Sequence, residues 1–387
     1  MAGTIRGEVP NIEDSEGNLL AQAEKLTRMR SRIKSLRGRL QNKNREVAKL
    51  REKLAQARSS RSYRGEETPV FFVVGRGRSG TTWLQTILNA HPEILCSGEG
   101  YFFGRDFRRE NFKELSRPGL LPSSLYNAIV GSEYLRLWVE RSPWTRGDDV
   151  EEHLDKLMRL AVDRFLTERL AKTGKRMVGD RTPFVSPEEL EEIARIYPEA
   201  KIIHIIRDGR DVAVSSVHWL WNHVKGEQGG IYNLAPEELE RREAYRKDLL
   251  STSTDSIFTE NRLVTIASDW SAKVSKTIEL GPTLFGDRYA EARYEDLLEW
   301  PEVEVGRLLK FLGAEASEET VKRCVEAADF ERLSKRKRGQ KDYTRVRFRK
   351  GVAGDWKSVF TENDKRIFKE EAGNLLIKLG YEKDLDW

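Results

Sequence analysis

Cysteine is almost missing from this chain: two occur in 387 residues, Cys96 and Cys324, far apart in sequence. That excludes a disulfide framework, and no Cys or His set has the spacing of a structural metal site. A reducing, cytoplasmic environment and a site without metal are the expectation. Long apolar runs are missing too, since none approaches the roughly 18 residues a membrane helix needs. Residues 1–17 are polar and acidic rather than a basic-then-apolar leader, so they read as a disordered tail of a soluble, unsecreted protein. What remains, with 34% charged residues, suits one large α/β domain with an appendage.

Charge is not evenly spread. Residues 18–64 hold fifteen Lys/Arg against three acids, Glu24, Glu46 and Glu52, in a chain whose net charge is only +5, so the remainder is net acidic. Basicity belongs to this segment alone. Within it a seven-residue repeat places Leu19, Leu26, Ile33, Leu40, Val47 and Leu54 at one seam position and Met29, Leu36, Leu50 and Ala57 at the other. This is a coiled-coil pattern, and the polar Gln22 and Lys43 in the second seam disfavour a tight higher oligomer. A parallel homodimer is expected, on a rod of about 60 Å for about 40 residues at 1.5 Å each. A solvated helix folding back on its own domain is the alternative.

A polar hinge from Ser59 to Thr68 ends the rod, which puts the main domain at 65–387. Short apolar runs then alternate with amphipathic helical stretches: Val70 to Val74, Ile94 to Cys96, Arg176 to Val178, Lys201 to Ile206 and Arg288 to Arg293. Such alternation predicts a three-layer α/β/α fold with a central parallel sheet, of the P-loop NTPase-like kind. Ligands bind beyond the carboxyl ends of such strands, where the loops after Val74, Val178, Ile206 and Arg293 would converge.

The first of those loops, Gly75 to Thr82, holds three glycines, two arginines and three hydroxyls within eight residues and leads into a helix. A glycine-rich turn at a helix N-terminus aims unpaired N–H groups at an anion, and the helix dipole adds about 0.3–1 kcal/mol per favourable charge. Gly75 and Gly80 have the nucleotide-triphosphate spacing, yet Thr81 stands where the lysine belongs. The cation sits instead at Arg78, which disfavours a magnesium-bound γ-phosphate and lowers a kinase.

Gly77 to Trp83 resembles the 5′-phosphosulfate loop, P-K-S-G-T-T-W, of sulfotransferases that use 3′-phosphoadenosine 5′-phosphosulfate (PAPS). The resemblance implies that Arg78 steadies the sulfate, that Ser79, Gly80, Thr81 and Thr82 wrap the 5′-phosphate, and that Trp83 lies near the adenine. Because guanidinium does not release a proton near neutral pH, Arg78 is assigned electrostatic stabilisation only. Arg207 to Ser216, following the Lys201–Ile206 run, is similar to the family's 3′-phosphate segment R-D-x-x-D-V-A-V-S, which gives Arg207 and Ser215 that phosphate and Asp211 a structural role. Arg349 to Lys357 matches the R-K-G-x-x-G-D-W-K signature without a gap, implying a basic loop of Arg349, Lys350 and Gly351 over the 3′-phosphate. Tyr294, in a Y-E-D-L segment, is implied to meet the adenine edge.

Sulfuryl transfer needs in-line approach, charge neutralisation and a base. Gly98 to Phe103 resembles the K-E-P-x-F-F segment of carbohydrate sulfotransferases, which implies Glu99 as that base; a carboxylate merely shaping a turn between two glycines is the plain alternative. Gly179 to Pro183 resembles their G-D-K-T-P segment and implies Arg181 as a second active-site cation. Among five histidines only His218 is held in reserve as a base, and such residues are more often packing or surface groups. Residues 104–175, with Trp138 and Trp144, are expected to form an acceptor lid for a glycan, carbohydrate-containing or small-molecule acceptor that offers a hydroxyl or an amine. Two other functions compete: a P-loop nucleotide kinase, and a non-catalytic coiled-coil scaffold binding nucleic acid or an anionic membrane.

Overall fold

The computed structural model describes residues 68–104, 124–183, 187–224, 233–247, 255–339 and 349–387, together with Met29, Arg32, Leu36, Gly38, Arg39, Lys43, Glu46 and Lys49. Those last eight are helical and exposed, and the rest of the tail and heptad segment lies outside the described residues. Two compact units divide between Glu67 and Thr68.

In the second unit β1 (Val70–Val74) turns into α1 (Thr81–Asn89) and β2 (Ile94–Gly98). Next come α2 (Leu125–Ile129), α3 (Glu133–Arg141), α4 (Val150–Ala171) and β3 (Met177–Thr182). They are followed by α5 (Pro187–Ile196), β4 (Lys201–Ile206), α6 (Gly209–Trp221) and α7 (Pro236–Arg246). The long α8 (Glu260–Phe285) leads to β5 (Tyr289–Arg293) and α9 (Tyr294–Glu299). Finally α10 (Pro301–Leu312), α11 (Glu318–Ala327), α12 (Phe330–Ser334) and α13 (Glu362–Lys378) precede the last nine residues.

All five strands are parallel, in the order β2-β3-β1-β4-β5. The alternation of β1 explains the layers. Val70, Phe72 and Val74 pack on one face with Leu154, Met158 and Val162 of α4 and Leu190 and Ile193 of α5. Phe71 and Val73 pack on the other with Leu84, Ile87 and Leu88 of α1 and Leu308 and Leu309 of α10. Phe72 is fully buried, so truncation to alanine there would cost about 3–5 kcal/mol. Because the chain leaves β1 toward β2 and later crosses to β4, the crevice at the switch point opens beyond the carboxyl ends of β1 and β4.

Two expectations change. The third strand does not stop at Val178 but runs to Thr182, with Phe72 opposite Asp180 and Val73 opposite Arg181. The ladder of a central strand continues through polar residues because both neighbours supply partners, so the converging loop starts after Thr182. Within the span expected as a lid, α4 is instead a layer helix, capped by Asp149 and buried along Leu154, Met158, Val162, Leu166 and Leu170. Trp138 and Trp144 are exposed, at 57% and 86%.

Candidate functional site

The loop after β1 is shaped by its backbone. Gly80 takes a left-handed conformation at φ 102°, and a Cβ there would stand 2.5 Å from the Tyr294 ring. Only glycine permits both. Arg78 also lies in the left-handed region, at φ 76°, which for a non-glycine residue costs on the order of 1–3 kcal/mol. Ser79 N–H donates to Arg76 O at 3.1 Å, closing the turn, and Trp83 and Leu84 begin α1 by donating to Gly80 O.

Arg207, at the carboxyl end of β4, joins the separated motifs. Its Nη1 donates to Arg78 O at 3.4 Å, its Nη2 to Val352 O at 3.1 Å and to Asp211 Oδ2 at 3.3 Å. The guanidinium also lies 4.2 Å over the Tyr294 ring. Arg78 itself donates from Nε to Ser215 Oγ at 3.2 Å. Three segments spread over 270-odd positions of sequence therefore meet at one guanidinium and one hydroxyl.

Asp211 fixes the third segment. Its two oxygens accept from Gly354 N at 2.9 Å and Trp356 N at 3.0 Å, which staples the 349–357 loop to α6. Burial pushes its carboxyl up, and the Arg207 charge opposes that. Arg349 and Lys350 both donate to Asp355. Burial works against that carboxylate, yet the charge of Arg349 and the bonds from Lys350 and Arg349 hold it below its ordinary range. Gly351, at φ 68°, lies so close to the Phe330 ring that a Cβ would collide with it. Ser79 Oγ, Arg207 Nε and Arg349 Nε are buried and have no hydrogen-bond partner among the described residues. Hydroxyl and guanidinium donors at the end of a glycine-turned loop fit a phosphate-bearing ligand.

Glu99 and Arg181 form the other half of the site. Glu99 is left-handed at φ 56°, and its N–H donates to Arg181 O at 2.9 Å, extending the β2–β3 ladder. Its carboxylate accepts from Arg181 Nη1 at 2.8 Å, while Arg181 Nε donates to Gln85 at 2.8 Å. The Arg181 side chain is 7% exposed and that of Glu99 37%. Asp180 lies beneath them, accepting from Gly100 N–H at 3.2 Å. Burial pushes its carboxyl up to about 7.

Sequence reasoning missed Asp180 and Gln85. The signals were faint: an acid two residues from the end of a buried strand, and one of two amides on helix α1. Trp83 and Tyr294 meet edge to face at 5.3 Å, forming an aromatic corner beside Gly80. His218 packs between Trp221 and Tyr245, with ring centroids 5.3 and 4.9 Å away. His204 is buried in β4 against the Tyr289 hydroxyl, and burial lowers it to about 3.

A parallel sheet of this order, with a glycine-turned loop at the N-terminus of α1 and cationic loops gathered at the switch point, defines an α/β protein of the P-loop-like class. Among proteins of that class the chain belongs to the sulfotransferase family, whose model, described as "Sulfotransferase family", matches residues 69–318. Protein-tyrosine sulfotransferase 2 of Gallus gallus is 28% identical over 155 residues, covering 40% of this chain and 34% of that protein. Protein-tyrosine sulfotransferase 1 of Danio rerio is 28% identical over 155 residues, covering 40% of this chain and 35% of that protein. The match thus spans about a third of those relatives' length. Among solved structures, mouse sulfotransferase SULT7A1 complexed with PAP has a TM-score of 0.45 at 16% identity, covering 81% of this chain and 89% of that one.

Proposed function

We propose that the protein is a PAPS-dependent sulfotransferase acting on a hydroxyl of a carbohydrate-containing or small-molecule acceptor. One observation carries the reading: the Arg207 guanidinium donates to both Arg78 O and Val352 O. Two cationic loops far apart in sequence thus meet as a ligand with phosphates on both ribose edges requires. PAPS, when bound, supplies the sulfuryl group for in-line transfer.

The chain's own groups have separable tasks. Backbone N–H groups of Gly80, Thr81 and Thr82 and the Ser79 hydroxyl, with the α1 dipole, bind the 5′-phosphate. Arg78 neutralises charge on the leaving side, and its bond to Ser215 ties it to the 3′-phosphate group of Arg207, Ser215, Arg349, Lys350 and Gly351. Trp83 and Tyr294 hold the adenine. Glu99 takes the acceptor proton, and Arg181 orients its carboxylate through one oxygen, leaving the other for that proton. The aromatic packing of His218 favours Glu99 over it.

The names of the relatives bring in a tyrosyl hydroxyl as the competing acceptor. Phenol, with a pKa near 10, needs less help from a base than a sugar alcohol, so Glu99→Gln should suppress transfer to sugars more than to phenols. The deciding experiment is transfer of labelled sulfate from PAPS across glycosides, phenols and tyrosyl peptides, beside calorimetric binding of adenosine 3′,5′-bisphosphate in EDTA. Tight metal-free binding with transfer to one acceptor class supports the reading. Binding of ATP only with magnesium overturns it in favour of a kinase.

The heptad segment is proposed to pair two copies, on the exposure of the seam residues Met29 and Leu36, 55% each. The two buried free thiols suit a reducing, cytoplasmic setting. No described helix is long and apolar enough to cross a membrane.

A further inference from the structure

Arg210 is a motif arginine that the donor site does not use, and its surroundings differ from those of Arg207. It is 2% exposed. Its guanidinium lies 3.7 Å over the Trp356 ring and 4.4 Å over the Trp387 ring. Asp208 accepts from its Nε and from its Nη2, the latter at 2.7 Å, and Glu382 accepts from Nη1. The two indoles also meet each other edge to face at 5.4 Å. Every side-chain nitrogen of Arg210 is therefore engaged by protein and two indoles lie against its guanidinium, which makes it a structural cation and not another phosphate ligand.

Two of its partners, Glu382 and Trp387, lie in the segment after α13. A second tie runs in parallel: the Tyr381 hydroxyl donates to Glu295 Oε2 at 2.9 Å, and Glu295 Oε1 accepts from Asp208 N at 3.0 Å. On the other side, Trp356 is the residue whose amide Asp211 holds, within the loop that Arg207 reaches at Val352. Segment 381–387 thus grips both parts of the 3′-phosphate half, the 207–211 turn and the 349–357 loop, and does so through stacking on a shared cation.

We infer that residues 381–387 act as a clasp, with Trp387 and Glu382 as positioning residues that hold the 349–357 loop against the 207–211 turn and so set affinity for a 3′-phosphorylated ligand. The ligand part of this inference rests on the donor reading above; the clasp itself does not. A desolvated cation–π contact is among the stronger of its kind, so its loss should be readable in binding.

The test compares Trp387→Ala, Trp387→Phe and Glu382→Gln in the full chain. Binding of adenosine 3′,5′-bisphosphate and of 5′-AMP is measured by calorimetry, and hydrogen exchange of the Gly354 and Trp356 amides is followed without ligand. In Trp387→Ala the bisphosphate should bind about tenfold more weakly while 5′-AMP changes less than about twofold. The two amides should exchange about tenfold faster. Phenylalanine should restore most of both, and Glu382→Gln should move both in the same direction by less, which keeps the test valid if the alanine variant does not fold. Unchanged exchange overturns the clasp, as does an equal loss for both ligands. If the unmodified protein binds no bisphosphate, the donor reading fails while the exchange comparison still decides the clasp.

Discussion

Arg207→Lys separates charge from geometry at the centre of the site. Lysine keeps the positive charge, but one ammonium cannot span Arg78 O, Val352 O and Asp211 together, and it forfeits the 4.2 Å stacking on Tyr294. Two lost hydrogen bonds at about 0.5–1.5 kcal/mol each and a desolvated cation–π contact at about 1–2 kcal/mol come to roughly 2–5 kcal/mol. Part of this falls on folding stability. The part that reaches the bound state should appear as about ten- to hundredfold weaker binding of adenosine 3′,5′-bisphosphate. Calorimetry at fixed ionic strength, with 5′-AMP as the ligand lacking the 3′-phosphate, reads the effect. Binding of the bisphosphate within about threefold of the unmodified protein would mean that net charge alone matters, and the bridging argument would be refuted.

Glu99→Gln keeps a hydrogen-bond acceptor for Arg181 and removes the basic group, so turnover should fall by about 10²- to 10⁴-fold with bisphosphate affinity preserved; parallel losses in both would assign Glu99 to donor binding. Asp180, raised from 3.8 to about 7 by burial, keeps its proton when folded over a window in which the unfolded chain has lost it. The stability it contributes is therefore present below about pH 4 and declines as pH rises to about 7. The melting temperature of Asp180→Asn should accordingly gain on that of the unmodified protein across this window and level off above it, and a pH-independent difference would refute the assignment. Gly80→Ala forces a Cβ against Tyr294 at an unfavourable φ, so phosphate binding should fall sharply in calorimetry. Deleting residues 1–64 should convert a dimer to a monomer in sedimentation with bisphosphate binding unchanged; a monomeric full chain would remove the pairing role of the heptads.

The motifs announce themselves because their chemistry is local. A glycine-turned loop before a helix, an apolar strand ending at Arg207, and the Arg349–Lys357 run each need only their own neighbours to be recognised, and β1 and β4 are legible as β-branched runs buried on both faces. The end of β3 was not legible, because Gly179, Asp180 and Arg181 look like a turn until Phe71, Phe72 and Val73 are placed opposite them. The Glu99–Arg181 pair joins residues 82 positions apart, so no spacing rule announces it.

By itself the sequence determined which side chains carry charge, which backbone positions demand glycine and which segments alternate, since these are properties of a residue and its near neighbours. Only tertiary structure decided that one guanidinium joins two loops, that Asp211 staples the 349–357 loop, and that Asp180 is buried enough to hold a proton. Those facts follow from strand order and burial, which bring distant residues into one low-dielectric place, and neither quantity is written in any local stretch of chain.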